Sequence, residues 1–203
     1  MKILFISLGV ISVAFVVVQL FAANGQKNIE TYPYVVYKKY DTFEIRQYEA
    51  SLFTSVKLPM KKYKDASSKG FSILAGYIFG GNEANEKISM TSPVAMSLED
   101  SITMMFLVPK KYSKLSLPQP NQSQIEFREE PAKTVAAITF GGWANDEKIA
   151  NYQEQLKTAL TAEGIPFTEC FYFLGYNPPY ELFNRKNEII VELEAEVLDA
   201  IKK

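Results

Sequence analysis

The 203-residue chain contains no histidine and only one cysteine. A Ser-His-Asp or Cys-His nucleophile system needs an imidazole base, so both kinds of catalytic site are excluded. Zinc sites with histidine ligands are excluded for the same reason, and one cysteine cannot build a thiolate cluster or an internal disulfide. Histidine is also the commonest axial ligand of haem iron, and it is not available here. Carboxylate chemistry, or binding without chemistry, remains.

The chain also has no large excess of positive or negative charge. Lysine and arginine number 22, aspartate and glutamate 23, and the formal net charge is −1. A near-neutral chain does not have the basic field that nucleic-acid binding usually needs, so nucleic acid is not an expected partner. The 47% of hydrophobic residues is typical of a globular protein, and the 13% of aromatic residues favours β-structure around an apolar interior.

The N-terminus carries a long stretch without charge. After Lys2, residues 3–23 form 21 uncharged positions, which as a helix would be ~31 Å long and would cross a bilayer. The stretch is either an uncleaved membrane anchor or a signal peptide cleaved near Ala23-Asn24-Gly25. Residues 1–26 are therefore predicted as a signal-anchor or signal peptide, and residues 27–203 as one domain. Both alternatives export the domain to a periplasmic or other extracytoplasmic compartment, and the first tethers it to the membrane.

Apolar periodicity predicts an alternation of strands and helices. A first helix is expected over residues 66–79, ended by Gly80-Gly81, and a second between the N-cap Asn145 and Gly164. A short terminal helix is expected around Val197, Leu198 and Ile201. The predicted strands are 34–40, 43–49, 51–58, 88–97, 102–108, 125–128, 133–140, 167–174 and 188–194.

The chain contains an internal repeat. Glu44-Ile45-Arg46 recurs as Glu126-Phe127-Arg128, at an offset of 82 residues, and a similar apolar strand follows each copy and precedes a helix. The repeat predicts two β/α halves, about 32–112 and 122–195, which share one sheet. The expected fold class is therefore α+β, with a curved and barrel-like sheet.

The first helix is the main candidate binding element. Its sequence GFSILAGYIFGGN contains Gly70 and Gly76, and a glycine inside a helix is less stable than alanine by roughly 1 kcal/mol. Either a flat apolar ligand or the sheet beneath the helix approaches closely at these glycines. Five lysines flank the start of the helix: Lys57, Lys61, Lys62, Lys64 and Lys69. They either pair with ligand carboxylates or lipid head groups, or form a solvated surface.

Other groups suggest structural roles. The possible soft metal ligands Met90, Met96, Met104, Met105 and Cys170 are expected to fill the core. The paired carboxylates Glu99-Asp100 and Glu129-Glu130 are expected in exposed turns, where they do not form an acid–base pair across a cleft. The stretch GYNPPYELFNRKNEI is expected to form a rigid turn held by hydrogen bonds that involve Arg185, Asn187 and Glu188.

Several of these segments together resemble the SOUL heme-binding protein family. The matching strings run in the order and spacing of the family from about Tyr32 to Leu193. They are YDTFEIRQYEA, GFSILAGYIFGGN, KISMTSPVAM, FLVP, FGGWA and GYNPPYELFNRKNEI. The N-terminal segment has no counterpart in the cytosolic members of the family.

The resemblance implies a distorted β-barrel of two pseudo-symmetric halves with two long helices, similar to the gyrase-inhibitor-like effector-binding domains. It implies non-covalent binding of haem or other tetrapyrroles, with no catalytic residue and no metal ion of the protein's own. A histidine ligand suggested for some members has no counterpart here. Other members of the family are thought to hold the tetrapyrrole in an apolar groove beside the first helix. The resemblance implies that the corresponding residues here are Phe71, Leu74, Tyr77 and Ile78. The lysines match no family motif, and only their charge suggests that Lys57, Lys61, Lys64 or Lys69 faces the acid groups of the ligand.

Three hypotheses for function result. The first is a non-enzymatic tetrapyrrole-binding domain that does not use a histidine ligand. The second is a general module for amphipathic small molecules that uses the same groove. The third is a protein-interaction domain, with a filled interior and an exposed apolar patch in place of a cavity. We expect no enzymatic activity; two buried polar groups with shifted pKa values in one pocket would indicate an enzyme instead.

Overall fold

The computed structural model describes residues 29–178, 181–194 and 196–197. Within these residues the chain forms nine strands and two helices. The helices are α1 (Tyr63–Ile78) and α2 (Asp146–Ala162). The strands are β1 (Tyr34–Lys39), β2 (Glu44–Tyr48), β3 (Ser51–Leu58), β4 (Val94–Ser97), β5 (Ile102–Leu107), β6 (Ile125–Glu130), β7 (Lys133–Gly141), β8 (Phe167–Gly175) and β9 (Lys186–Leu193).

All nine strands belong to one antiparallel sheet, in the order β1-β2-β7-β9-β8-β4-β5-β3-β6. The run β2-β7-β9-β8 is mirrored by β6-β3-β5-β4 from the other edge, so each strand of one half has a counterpart in the other. The two halves meet where β4 pairs with β8, and also where β2 pairs with β7 and β6 with β3. Strand β1 is an added edge strand. The α+β fold class and its two pseudo-symmetric halves are therefore confirmed.

Both helices pack on the same face of the sheet. Helix α1 contacts β3 and β5, and α2 contacts β7, β8 and β9. Leu74 of α1 and Leu156 of α2 are completely buried in a core that also contains Val56, Met104 and Ile189 from the sheet. This core fixes α1 above the first half and α2 above the second.

The opposite face of the sheet, which we call the helix-free face, has a second apolar cluster. Tyr48, Phe53, Met105, Leu174 and Ile190 are buried there. Side chains alternate between the two faces along a strand, so in β3 Val56 and Leu58 point towards the helices and Phe53 points away from them. Both faces of this sheet are therefore covered by packed side chains.

Most predicted elements agree with the structure to within two residues at each end, and two differ by more. Helix α1 begins at Tyr63, three residues before the predicted start. The predicted strand 88–97 is a strand only over Val94–Ser97. Pro93 has no N–H for a ladder, and the backbone of Ser92 pairs with the segment before β1.

The predictions for the two ends of the chain concern residues that the structure does not describe. Residues 1–28 and most of the predicted terminal helix lie outside the described residues. In the part of the chain that is described, neither helix is long and apolar enough to cross a bilayer.

Candidate functional site

The N-terminus of α1 is held by a residue of the second half. The N-cap residue Lys62 makes no side-chain hydrogen bond to the helix. Instead, the backbone N–H of Tyr63 donates to Asp146 Oδ1 at 2.6 Å, and that of Lys64 donates to Asp146 Oδ2 at 3.3 Å. The carboxylate satisfies two free donors and complements the positive end of the helix dipole. The beginnings of α1 and α2 therefore lie side by side.

The four apolar residues predicted to bind a ligand differ in accessibility. Leu74, Tyr77 and Ile78 are buried between α1 and the sheet, whereas Phe71 is 36% exposed. The Tyr77 hydroxyl donates to the Pro118 carbonyl at 2.9 Å, and burial raises the pKa of Tyr77 to about 12. Phe71 therefore presents the accessible apolar surface of this set, and the other three lie beneath the helix.

The two glycines of α1 have different surroundings. A methyl group on Gly70 would lie 3.0 Å from Leu58 Cδ1 and from Met104 Sδ, so Gly70 allows the helix to approach the sheet. A methyl group on Gly76 would meet nothing closer than the Gln122 side chain at 3.9 Å. Gly76 is exposed, so packing against the sheet does not explain it.

The outer surface of α1 has a second exposed aromatic residue that the sequence prediction did not include. Phe79, the C-cap residue, is 63% exposed. Ser72 and Gly76 are exposed between the two phenylalanines in sequence. Eight residues separate Phe71 from Phe79, about 12 Å along a helix axis. Phe71 thus lies near the middle of α1 and Phe79 at its C-terminal end, and at 3.6 residues per turn the two positions are roughly 80° apart around the axis.

The four lysines predicted to face ligand acid groups do not form one cluster. Lys64 and Lys69 are exposed on α1. Lys61 pairs with Asp100 at 2.7 Å, and both side chains are well exposed. Lys57 lies on the helix-free face, because it alternates with Val56 and Leu58 in β3. The sheet therefore separates Lys57 from α1.

The turn after β8 is held by hydrogen bonds, as predicted from its sequence. Arg185 donates to the carbonyls of Asn177, Pro178 and Glu181 at 2.7–3.2 Å. The Asn187 amide donates to the Gly142 carbonyl at 2.8 Å and joins this turn to the FGGWA turn. The Arg185 guanidinium also stacks 3.9 Å from the centre of the Trp143 ring, which is half exposed.

Glu188 joins the turn through a hydrogen bond from Tyr176, and it also lies in a buried ion pair on the helix-free face. The Arg46 guanidinium donates to both Glu188 oxygens, at 2.9 and 3.0 Å. Hydrogen bonds from Tyr176 and Thr139 and an ion pair with the Lys186 ammonium complete the set around the carboxylate. Burial alone would raise the pKa of Glu188, but the hydrogen bonds and charge of Arg46 lower it below its ordinary value.

The prediction that Glu129-Glu130 is an exposed pair is wrong for Glu130. Its side chain is buried at the end of β6 and accepts from Lys133 at 2.8 Å and from Arg128. Burial raises the pKa of Glu130, and the hydrogen bonds and charges of Lys133 and Arg128 outweigh that effect, so the net shift is downward. The strand alternation puts this carboxylate on the helix-free face, opposite Ser51 of β3.

A small cavity of about 10 Å³ lies on the helix-free face next to Tyr32. Tyr32 precedes β1 and is 5% exposed, and its hydroxyl has no hydrogen-bond partner among the described residues. Burial, with the nearby charge of Glu130, raises the pKa of Tyr32 well above its ordinary value. The prediction from sequence did not include Tyr32, because nothing local marks a tyrosine that covers a distant part of the sheet.

The predicted soft metal ligands are distributed through the core. Met96, Met104 and Met105 are buried in apolar clusters, and Cys170 is a half-buried free thiol. Within the described parts of the chain, acidic, histidine and cysteine side chains form no group of three that would hold a metal ion.

This architecture, a curled antiparallel sheet with two helices on one face, defines the class of protein. The crystal structure of the EcmrR C-terminal domain has it too, with a TM-score of 0.60. That domain is 12% identical, and the match covers 75% of this chain and 96% of that one. At this identity the likeness concerns the fold alone.

Within this class the chain belongs to the SOUL heme-binding protein family, whose profile matches residues 29–192. Mouse Heme-binding protein 2 is 32% identical, with 73% of this chain and 76% of that protein covered. Human Heme-binding protein 2 is 30% identical, and the match again covers 73% of this chain and 76% of that protein. Mouse Heme-binding protein 1 is 28% identical, with 80% and 92% covered. The resemblance seen in the sequence motifs is confirmed.

Proposed function

We propose that this protein binds haem or a related tetrapyrrole non-covalently, without a histidine ligand and without catalysing a reaction. Its family and the names of its relatives support the ligand class. The observation that carries the proposal is the outer face of α1, where two aromatic rings flank small residues in a chain that contains no histidine. Affinity then comes from apolar contact with the flat macrocycle and not from an imidazole bond to iron.

The contact surface that we propose lies beside α1. Phe71 and Phe79 provide accessible aromatic surface, and Gly76 lets a flat molecule approach the helix backbone. Leu74, Tyr77 and Ile78 form the rigid base that holds the helix in place. The macrocycle packs against the exposed side of this layer, so the core beneath does not have to open.

The acid groups of the ligand are proposed to face the lysines of α1. Lys64 and Lys69 are exposed on the helix, and a Lys–carboxylate contact at an exposed site contributes modestly, about 0–1 kcal/mol. Lys61 is a weaker candidate, because it already pairs with Asp100. Lys57 would reach the ligand only around the edge of the sheet.

A titration with haem and with metal-free protoporphyrin IX tests the proposal. We expect dissociation constants that agree within about threefold, a difference of roughly 0.65 kcal/mol. A large preference for haem, with a low-spin six-coordinate spectrum, would contradict binding without a strong iron ligand. Equal displacement of the porphyrin by fatty acids would favour a general module for amphipathic molecules.

Variants of α1 test the location. Phe71→Ala and Phe79→Ala are each expected to weaken porphyrin binding by about tenfold, on the order of 1.4 kcal/mol. Val35→Ala is the matched control, because Val35 is an exposed apolar residue on β1, away from α1. Unchanged affinity in both phenylalanine variants would move the site elsewhere.

The two lysines are tested with a neutral form of the same ligand. The double variant Lys64→Ala/Lys69→Ala is expected to bind protoporphyrin IX several-fold more weakly and to bind its dimethyl ester as the unmodified protein does. Equal effects on the acid and the ester would contradict a charge contact.

We also propose that residues 1–26 export the domain, and that residues 3–23 tether it to the outside of the cytoplasmic membrane. The 21 uncharged residues that follow Lys2 support this. Fractionation should find the full-length chain in the membrane pellet after a carbonate wash, with the domain sensitive to protease added from outside. Recovery in the cytoplasmic fraction would contradict both statements.

A further inference from the structure

The segment before β1 covers part of the helix-free face. Its residue Tyr32 inserts its ring among the side chains of that face. The Tyr32 ring lies 4.2 Å from the ring of Tyr48 and 5.1 Å from the ring of Phe53, measured between centres. The contact with Phe53 is edge-on, with an angle of 80° between the rings. Tyr32 therefore occupies a slot of the size and shape of one aromatic ring.

The slot is larger than the ring that fills it. The adjoining cavity of about 10 Å³ has Tyr32, Tyr172, Glu130 and Lys133 along its sides, and its apolar lining comes from five strands: Phe53, Ala95, Met105, Leu174 and Ile190. Their side chains give an apolar floor, and the Tyr32 hydroxyl has no hydrogen-bond partner among the described residues. A buried hydroxyl left unpaired costs about 1–3 kcal/mol. Tyr32 therefore fits the slot imperfectly, because its hydroxyl is unpaired and a small void remains beside its ring.

The segment that carries Tyr32 is held mainly by backbone hydrogen bonds. The Tyr32 N–H donates to the Ser92 carbonyl at 3.0 Å, and the Ser92 N–H donates to the Glu30 carbonyl at 2.9 Å. The Glu49 N–H donates to the Pro33 carbonyl at 3.0 Å, and the Glu30 carboxylate accepts from the Lys110 N–H at 2.8 Å. Each such bond contributes about 0.5–1.5 kcal/mol net, so release of the segment leaves the sheet itself intact.

We infer that the helix-free face is a second ligand site, for an uncharged aromatic ring of phenol size, which Tyr32 occupies as a built-in competitor. The ligand enters when residues 29–33 leave the sheet, and it takes the place of the Tyr32 ring. This site goes beyond the proposed tetrapyrrole surface, from which the whole thickness of the sheet separates it.

The charges around the slot decide the chemistry of the ligand. Lys133 donates to Glu130 at 2.8 Å and to Glu192 at 2.7 Å, so its ammonium group bridges both carboxylates. Farther along the face, Arg46 and Glu188 neutralise each other. Since these charges are already paired, a charged ligand would be desolvated without gaining a new partner. An uncharged ring with one hydroxyl or N–H group fits the apolar floor and the polar rim.

The built-in competitor lowers the apparent affinity for a free ligand. The apparent dissociation constant equals the intrinsic one divided by the fraction of molecules in which the slot is open. If the slot is open about 1–10% of the time, removal of the Tyr32 ring increases the affinity about 10- to 100-fold.

The test uses 4-methylphenol, the free analogue of the tyrosine side chain, with the full-length chain. We expect weak binding to the unmodified protein and binding at least about tenfold tighter to Tyr32→Ala. Tyr32→Phe keeps a ring in the slot and is expected to match the unmodified protein. Tyr37→Ala is the matched control, because it removes a tyrosine of β1 that does not line the slot.

Hydrogen exchange shows whether the native segment moves. In the unmodified protein, 4-methylphenol is expected to speed exchange of the Ser92 and Glu49 amides, because these donate to carbonyls of the released segment. Glu30→Ala loosens the segment and leaves the core unchanged, and it is expected to tighten binding about threefold. This variant keeps the inference testable if Tyr32→Ala does not fold.

Two results would overturn the inference. The first is equal affinity for 4-methylphenol in the unmodified protein and in whichever of the Tyr32→Ala and Glu30→Ala variants folds. The second is binding that leaves exchange of the Ser92 and Glu49 amides unchanged or slower. The porphyrin titration is expected to be the same in all these variants, so failure of this site and failure of the tetrapyrrole surface are distinguishable.

Discussion

At the scale of single residues, the Arg46–Glu188 pair is the interaction most sensitive to change. Both side chains are almost fully buried, and the contact is bidentate. Among the described residues, removal of Glu188 breaks this buried pair and leaves Arg46 with only the partly exposed Glu44, 2.9 Å from its Nε, which costs about 3 kcal/mol, the low end for a broken buried pair. We therefore expect Glu188→Gln to lower the free energy of unfolding by about that amount, measured by urea denaturation.

Asp100→Asn is the matched control for this prediction. Asp100 also pairs with a basic residue, Lys61, but both side chains are exposed, and exposed pairs contribute about 0–1 kcal/mol. Loss of stability of equal size in Glu188→Gln and Asp100→Asn would show that burial does not decide the strength of these pairs.

The same carboxylate predicts a dependence of stability on pH. The pKa of Glu188 in the folded protein lies below its ordinary value of 4.5, so the unfolded chain binds the proton more readily. The stabilisation is therefore complete above about pH 4.5 and is lost as the pH falls through the folded pKa. We expect the difference in unfolding free energy between the unmodified protein and Glu188→Gln to shrink below that pH. A difference that stays constant down to the acid limit of folding would contradict the lowered pKa.

Residue partners were the part of the structure that the sequence predicted least well. The sequence predicts the contact of Glu188 with the nearby turn, but not its ion-pair partner Arg46, which is 142 residues away in the chain. Tyr32 was not assigned at all, although it fills a slot between Tyr48 and Phe53. Such contacts depend on which strands are neighbours and in what register, and a local pattern does not contain that information.

At the scale of elements, α1 shows where local patterns suffice and where they do not. Its apolar face and the glycines that end it were predicted from the sequence and agree with the structure. Its start was predicted three residues too late, because Asp146 caps it from the other half of the chain. The separate roles of Gly70 and Gly76 also became visible only once the sheet was in place.

Those two glycines give a matched pair of substitutions in one helix. Alanine is favoured over glycine in a helix by about 1 kcal/mol. A methyl group fits freely at Gly76, so Gly76→Ala is expected to stabilise the protein by about 0.5–1 kcal/mol. At Gly70 the methyl group would lie 3.0 Å from Leu58 and Met104, so Gly70→Ala is expected to be neutral or destabilising. Thermal unfolding of both variants measures the difference, and a larger gain for Gly70→Ala would contradict the packing described for α1.

At the scale of the whole molecule, the internal repeat was the strongest predictor of the fold. The offset of 82 residues places the start of β3 onto the start of β7, and it relates Leu74 of α1 to Leu156 of α2. The sheet order then follows the same symmetry on both sides of the β4–β8 pair. The buried charged groups are less symmetric than the strand order. The counterpart of Glu188 in β5 is Thr103, so the buried ion pair, which joins the two halves, has no symmetric equivalent.

Because the two halves share one sheet and one helix-side core, we expect them to unfold together. Leu74→Ala and Leu156→Ala each delete a completely buried side chain of that core, so each is expected to cost about 2–5 kcal/mol. Trp143 lies in the second half and is half exposed, so its fluorescence reports on that half. Leu74→Ala, in the first half, should nevertheless shift the urea midpoint seen by Trp143 fluorescence as far as the midpoint seen by far-ultraviolet circular dichroism. A Trp143 transition that stays at the unmodified midpoint while the helical signal moves would mean that the halves unfold separately. In that case the β2–β7, β3–β6 and β4–β8 pairings would join two units that are each stable alone, and the sheet would be continuous in structure but not in cooperativity.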